Sequence, residues 1–229
     1  MAQFPQRRQE SDNPIFHRLN EAEMASLRAQ DLTHQLLTFA KGGHPVRKPA
    51  SLSQIVEENT RLVLTGTNVK CEFHLAKDLS TVEVDVGQMS QVVQNLAINA
   101  MQAMANGGTL TVFGQNLTVD ESGNRTHIEL AVGNWVKVSF VDHGVGISKE
   151  HGRKIFDPYF TTKASGHGLG LATSYSIIQS HEGVLTVDSE VGLGTTFTIL
   201  LPASNDKQVL TETTSQHVRL GQGKVLVMD

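Results

Sequence analysis

The chain has 229 residues, 39% of them apolar and 18% charged, with a formal net charge of −4; that is room for one ordinary domain plus a partial element. This balance offers no basic face for nucleic acid, no membrane segment or signal peptide, and one cysteine, Cys71, which excludes an internal disulfide. It reads as a cytoplasmic chain with a packed thiol in a reducing compartment.

Residues 1–13 are polar and read as a disordered lead. From Pro14 to Ala40 the pattern turns helical, with Phe16, Leu19, Leu27, Leu32, Leu36 and Phe39 near one stripe, until Lys41-Gly42-Gly43-His44-Pro45 stops it. Such a helix has no partner in its own segment and asks for another helix, so a homodimer is open. Leu52 to Leu64 gives a second stripe (Leu52, Ile55, Val56, Leu62, Val63). Val69 to Leu75 alternates as a strand with Val69, Cys71, Phe73 and Leu75 on one face, and Val82 to Val86 reads as a short second strand. A helix through Gln91–Met104 follows, its apolar side made by Met89, Val92, Leu96 and Ala100 or Ala103. Asn106-Gly107-Gly108 is a turn and Thr109 to Gln115 a strand. Asp120 to Asn124 marks a loop inside a β pair, and Ile128 to Val141 carries a strand into Asp142. Leu169 to Ile178 is helix-like. Val184 to Ser189 and Thr195 to Leu201 close a β pair around Gly192-Leu193-Gly194. Strands in one layer and helices in the other predict an α+β two-layer sandwich: a mixed, mostly antiparallel sheet covered on one face by helices and preceded by the long helix. Ala203 to Gln216 is a polar linker, and Gly223 to Asp229 reads as a buried strand ending in an acid.

Three stretches, two of them rich in glycine, carry chemistry. Asp142-His143-Gly144-Val145-Gly146 follows a strand; Lys154 to Lys163 contains Phe156-Asp157-Pro158-Tyr159-Phe160; Gly166-His167-Gly168-Leu169-Gly170-Leu171 opens a helix. Glycines at this spacing let backbone N–H groups approach an anion, and a helix start adds its positive end. The last stretch is neither the dinucleotide fingerprint nor a P-loop. Upstream, Asn95 and Asn99 stand four residues apart, so both amides share one helix face. Asn is a poor helix-interior residue. Either the pair caps a buried edge, or its amide oxygens serve as hard ligands for Mg²⁺ on nucleotide phosphates.

In this order, Asn95-x-x-x-Asn99-Ala100, Asp142-x-Gly144-x-Gly146, Phe156 to Phe160 and Gly166-x-Gly168-Leu169-Gly170 resemble the N, G1, F and G2 boxes of the catalytic ATP-binding domain of sensor histidine kinases. That domain belongs to the superfamily shared with gyrase, mismatch-repair ATPases and a heat-shock chaperone. The likeness runs from about Ala50 to Pro202. It implies a partial second helix of a dimerisation and phosphotransfer hairpin at residues 14–45, a catalytic ATP-binding domain at 46–202, a linker at 203–221, and the first strand of a receiver domain at 222–229. A hybrid kinase trimmed at both ends explains these pieces together.

The resemblance also implies roles. Asp142 accepts from the exocyclic amine of adenine, supported by Thr195. Gly144 and Gly146 let the chain pass close to base and sugar. Asn95 and Asn99 hold Mg²⁺ and phosphates, while Lys163 and the backbone of Gly166, Gly168, Leu169 and Gly170 cradle the phosphate tail, with Tyr159 to His167 as a lid. The implied partners are ATP, a phosphotransfer hairpin of the same or a partner protomer, and a response-regulator receiver domain. The family's phosphoacceptor histidine is followed by an acid, whereas His17 precedes Arg18 and His34 precedes Gln35. The chain therefore reads as lacking its acceptor and as inactive in autophosphorylation. Relatives that activate water or serine carry glutamate where Asn95 stands, and an amide cannot take a proton. A kinase domain is thus expected ahead of a hydrolase; an ATP-sensing interaction module without phosphotransfer is the alternative.

Overall fold

The computed structural model describes residues 45–120, 130–163 and 168–204, with Arg18 alone upstream. The expected helix at 14–40, with His17 and His34, and the expected strand at 222–229 lie outside the described residues.

Described elements run β1 (Lys48–Ala50), α1 (Leu52–Leu64), β2 (Val69–Leu75), β3 (Val82–Val84), α2 (Val86–Ala103), β4 (Gly108–Val119), β5 (Gly133–Asp142), α3 (Lys149–Gly152), α4 (Gly170–Ser180), β6 (Val184–Glu190) and β7 (Gly194–Pro202). Five strands form one sheet in the order β2-β4-β5-β7-β6. Only β2 and β4 run parallel, because α2 crosses over between them; the other pairs are antiparallel. The expected two-layer sandwich with a mixed, mostly antiparallel sheet is what forms.

The layers are glued by period. Leu110, Val112, Val136, Val138, Phe140, Phe197, Ile199 and Leu201 alternate along the central strands and meet Val92, Val93, Leu96 and Ala97 of α2 and Ile177 and Ile178 of α4 in one core. Cys71 packs half-buried at the edge of that core, and burial pushes its thiol pKa up to about 11.

Three details differ from expectation. Leu62 is 67% exposed. The buried row of α1 is Leu52, Val56, Thr60 and Leu64; an i, i+4 row winds slowly about a helix, and this one leaves Leu62 on the outside. Val86 opens α2 rather than ending a strand, since Asp85 stays extended and its Oδ1 accepts from the N–H of Gln88 as an N-cap. The strand before it, β3, is not in the main sheet at all. It pairs with β1, which sequence patterning missed, Ala50 lying opposite Val82. On its other side Val82 bridges Ala203, and the N–H of Ser204 donates to Thr81 O at 2.7 Å.

Candidate functional site

The helix carrying Asn95 and Asn99 buries Met89, Val92, Val93, Leu96, Ala97 and Ala100, which leaves the two amides on its flank. Asn95 is braced across the helix pair: its Nδ2 donates to Gly170 O at 3.1 Å and to Ser174 Oγ at 3.2 Å. With both amide protons so committed, Oδ1 is the part of Asn95 left to offer. Gly170 begins α4, so this contact sets the glycine-rich helix start against the Asn helix.

Asn99 Oδ1 accepts from Lys163 Nζ at 2.9 Å, and Gln102 Oε1 takes the same ammonium. Gln102, one turn beyond Asn99, joins this cluster and was passed over in sequence reasoning. Partial burial of the ammonium lowers the Lys163 pKa, opposed by the charge of Asp142. These amide oxygens therefore already hold a cation, and hard oxygen donors suit Mg²⁺ equally. The donor set fits a metal carried on nucleotide phosphates.

At the far end of β5, Asp142 is 4% exposed. Burial raises its pKa, while backbone N–H groups of Gly144 and Thr195 hold it partly down; the Gly144 bond to Oδ1 is 2.9 Å. Thr195 sits directly opposite Asp142 on β7, and Ser189 sits opposite Thr195 on β6. Ser189 was not foreseen. Its Oγ meets Thr195 Oγ1 at 2.9 Å, accepts from the N–H of Ile147 at 2.8 Å and donates to Gly194 O at 2.9 Å.

The glycines are demanded by close approach of protein to protein. A Cβ on Gly144 would lie 2.6 Å from the Cβ and carbonyl of Ala103, and one on Gly146 (φ 70°) would strike Glu190 O. The G1 loop is thus clamped between the end of α2 and the β6–β7 turn, with Val145 N bonded to Ala103 O and Val145 O accepting from Gly192 N. Gly168, at φ 67°, presses on Tyr159 and Phe160, and its carbonyl accepts from Tyr159 N. Phe156 tilts against Tyr175 of α4 at 5.2 Å between centroids. Residues 164–167, including the expected site residue Gly166 and the tip of the expected lid, lie outside the described residues. Leu169 is buried at the N-cap of α4.

Asn95, Gly170 and Ser174 meet at one point, Asn99 and Lys163 at a second, and Asp142 and Thr195 at a third. The first two are joined through α2, and the third borders its C-terminal end through the G1 loop.

Comparison with known proteins places this arrangement. The family described as histidine kinase-, DNA gyrase B-, and HSP90-like ATPase matches residues 84–205, the stretch from β3 to the end of β7. Sensor kinase CckA of Brucella abortus is 34% identical over 84% of this chain, and the histidine-protein kinase AtoS of Escherichia coli 36% identical over 85%. The chain spans 21% and 30% of their respective lengths. Among solved structures, the catalytic domain of histidine kinase ThkA is 26% identical with a TM-score of 0.57, covering 69% of this chain and 95% of that one. ShkA in complex with AMPPNP, at 21% identity and a TM-score of 0.60 over 80% of this chain and 39% of its own, shares the fold. The chain belongs to the histidine kinase-, DNA gyrase B- and HSP90-like ATPase family, and its described residues form the catalytic ATP-binding domain of a sensor histidine kinase.

Proposed function

We propose that this domain presents Mg-ATP for phosphoryl transfer to a histidine of a phosphotransfer hairpin, on the same or a partner protomer, in the cytoplasm. The observation that carries the reading is the state of Asn95. Its amide protons are spent on Gly170 O and Ser174 Oγ, so what it turns to the site is a neutral oxygen that binds a cation and cannot accept a proton. A site built this way holds a nucleotide rather than activating water.

Roles follow from position. Asn95 and Asn99 hold Mg²⁺, which supplies charge neutralisation on the phosphates. Lys163 turns from Asn99 and Gln102 toward the phosphate tail, and Gly168 to Gly170 cradle it at the start of α4. Asp142 takes the exocyclic amine of adenine, with Thr195 beside it. Phosphoryl transfer asks for positioning and charge compensation more than covalent chemistry, and these groups give both. A receiver domain is the partner that would take the phosphoryl group onward.

The test is incubation with Mg²⁺ and γ-labelled ATP, alone and with a phosphotransfer hairpin supplied as a separate protein. Acid-labile label on the hairpin, and none on this chain alone, supports the kinase reading. Nucleotide bound but no label on any hairpin supports the alternative, an ATP-sensing module. Acid-labile label on this chain by itself makes His17 or His34 an acceptor.

A further inference from the structure

The helix-facing side of the central strands is apolar except at one end. There a single cross-strand row reads Ser189, Thr195, Asp142 on β6, β7 and β5. Thr195 and Asp142 are each 4% exposed. Buried polar groups in a row share out their protons.

Ser189 Oγ has one proton and two lone pairs. The Ile147 N–H takes one lone pair at 2.8 Å. The Ser189 proton goes to the carbonyl of Gly194 at 2.9 Å, since a carbonyl can only accept. What remains for Thr195 Oγ1, 2.9 Å away, is the second lone pair. With the Ser189 proton on Gly194 O, Thr195 donates its own to Ser189. Its hydroxyl, ordinarily free to give or take, has only lone pairs left to offer. Asp142 beside it is an acceptor as well, its Oδ1 already meeting Gly144 N–H.

We infer that Ser189 is a specificity-determining residue acting through Thr195. By taking the Thr195 proton it makes the Asp142–Thr195 edge accept only. Whatever meets that edge, a base or a bridging water, has to bring a proton. A purine with an amine at position 6 does so; one with a carbonyl there meets lone pair against lone pair. Asp142 alone can prefer the amine, but without Ser189 the Thr195 hydroxyl is free to rotate and donate to a carbonyl, softening the choice. This rests on the assignment of Asp142 to the base.

The experiment measures dissociation constants of Mg-ATP and Mg-ITP, which differ in the group at position 6, for the wild type and for Ser189→Ala, Thr195→Val and Asp142→Asn. The wild type should favour ATP by on the order of a hundredfold or more. Ser189→Ala should narrow the ratio about tenfold, the worth of one hydrogen bond, mainly through tighter ITP binding. A purely structural loss would weaken both nucleotides together and leave the ratio alone. Thr195→Val keeps Ser189 bonded to Ile147 and Gly194 and removes the lone pairs, so it too should narrow the ratio, and it decides the matter if Ser189→Ala does not fold. An unchanged ratio in both variants, with Asp142→Asn still collapsing it, overturns the role of Ser189 and leaves the base assignment standing. No ATP preference in the wild type, or none lost in Asp142→Asn, overturns the base assignment itself.

Discussion

Asn95 and Ser174 converge on one acceptor, the carbonyl of Gly170, which takes Asn95 Nδ2 at 3.1 Å and Ser174 Oγ at 2.9 Å. Two helices are joined there, and the amide is oriented so that its oxygen faces away from the bond. Ser174→Ala should let the amide turn and weaken Mg-nucleotide binding by ~0.5–1.5 kcal/mol, one hydrogen bond's worth. Asn95→Asp should cost more, because a carboxylate cannot donate to Gly170 O. Calorimetric titration checks both, and unchanged affinity in the pair would remove Asn95 from the site.

Asn99 stands differently, since its oxygen is already used by Lys163. Asn99→Ala should weaken Mg-ATP binding by ~1.5–3 kcal/mol, the range for a hydrogen bond to a charged group. The same titration without Mg²⁺ should show a smaller loss; equal losses with and without the metal would place Asn99 on the phosphates rather than on the cation.

Asp142 should trade stability for recognition. Burial raises its pKa above the ordinary 3.8, so its stabilising contribution is present below that value and lost as pH rises through the folded pKa. Asp142→Asn removes the buried charge. Its melting temperature relative to the wild type should therefore climb between pH 4 and 7 while ATP affinity falls. A gap that closes as pH rises would mean that the N–H groups of Gly144 and Thr195 outweigh desolvation.

Two glycines of the β6–β7 turn should answer very differently to alanine. Gly192 has φ 83° and open space where a methyl would go, whereas a Cβ on Gly194 (φ 121°) would lie 2.0 Å from Asp142 O. Gly192→Ala should cost about 1–2 kcal/mol of backbone strain. Gly194→Ala must also push β5 and β7 apart, and should lose more than about 4 kcal/mol, the range that marks a specific structural fault. Urea unfolding separates the two; similar losses would mean that the strands yield freely.

His181 gives the apo domain an acid-sensitive joint. Fully buried at the end of α4, its Nε2 accepts from Asp85 N–H at 3.0 Å, so the proton lies on Nδ1 and goes to Ile177 O at 2.8 Å. Burial lowers its pKa; the bond to Ile177 O opposes this, Arg47 nearby lowers it further, and Asp85 raises it slightly. The stabilising contribution is complete above the unfolded value of about 6.5 and is lost as pH falls toward the folded pKa. His181→Gln should flatten the fall in melting temperature below pH 6.5. An unchanged slope would assign that fall to other groups.

Much of this was readable because two periods dominate. Leu110 to Gly114 and Val136 to Phe140 alternate, Met89 to Ala100 recur every turn, and both patterns survive folding because each is backed by the same core. The candidate site was legible where the backbone itself is constrained, at Gly144, Gly146 and Gly168, whose close packing demands glycine. Ser189 and Gln102 were not. In a strand ending Val187-Asp188-Ser189, a serine looks like any surface position, and only the register that sets it against Thr195 reveals it. Gln102 needed Lys163, 61 residues away. The short β1 hid behind Pro49, which weakens any strand signal.

The chain's entry and exit meet on β3. Val82 has Ala50 on one side and Ala203 on the other, so polypeptide arriving and polypeptide leaving are two strand spacings apart, roughly 10 Å. The ATP-binding body is thereby a branch whose two ends, Ala50 and Ala203, sit on either side of one strand. The shared strand runs straight into the N-cap of α2, and Arg47, bonded to Glu182 and Ser180 O, ties the arriving chain to the end of α4. Arg47 and β3 therefore connect the start of the domain to the two helices that carry Asn95 and Gly170 without crossing the main sheet.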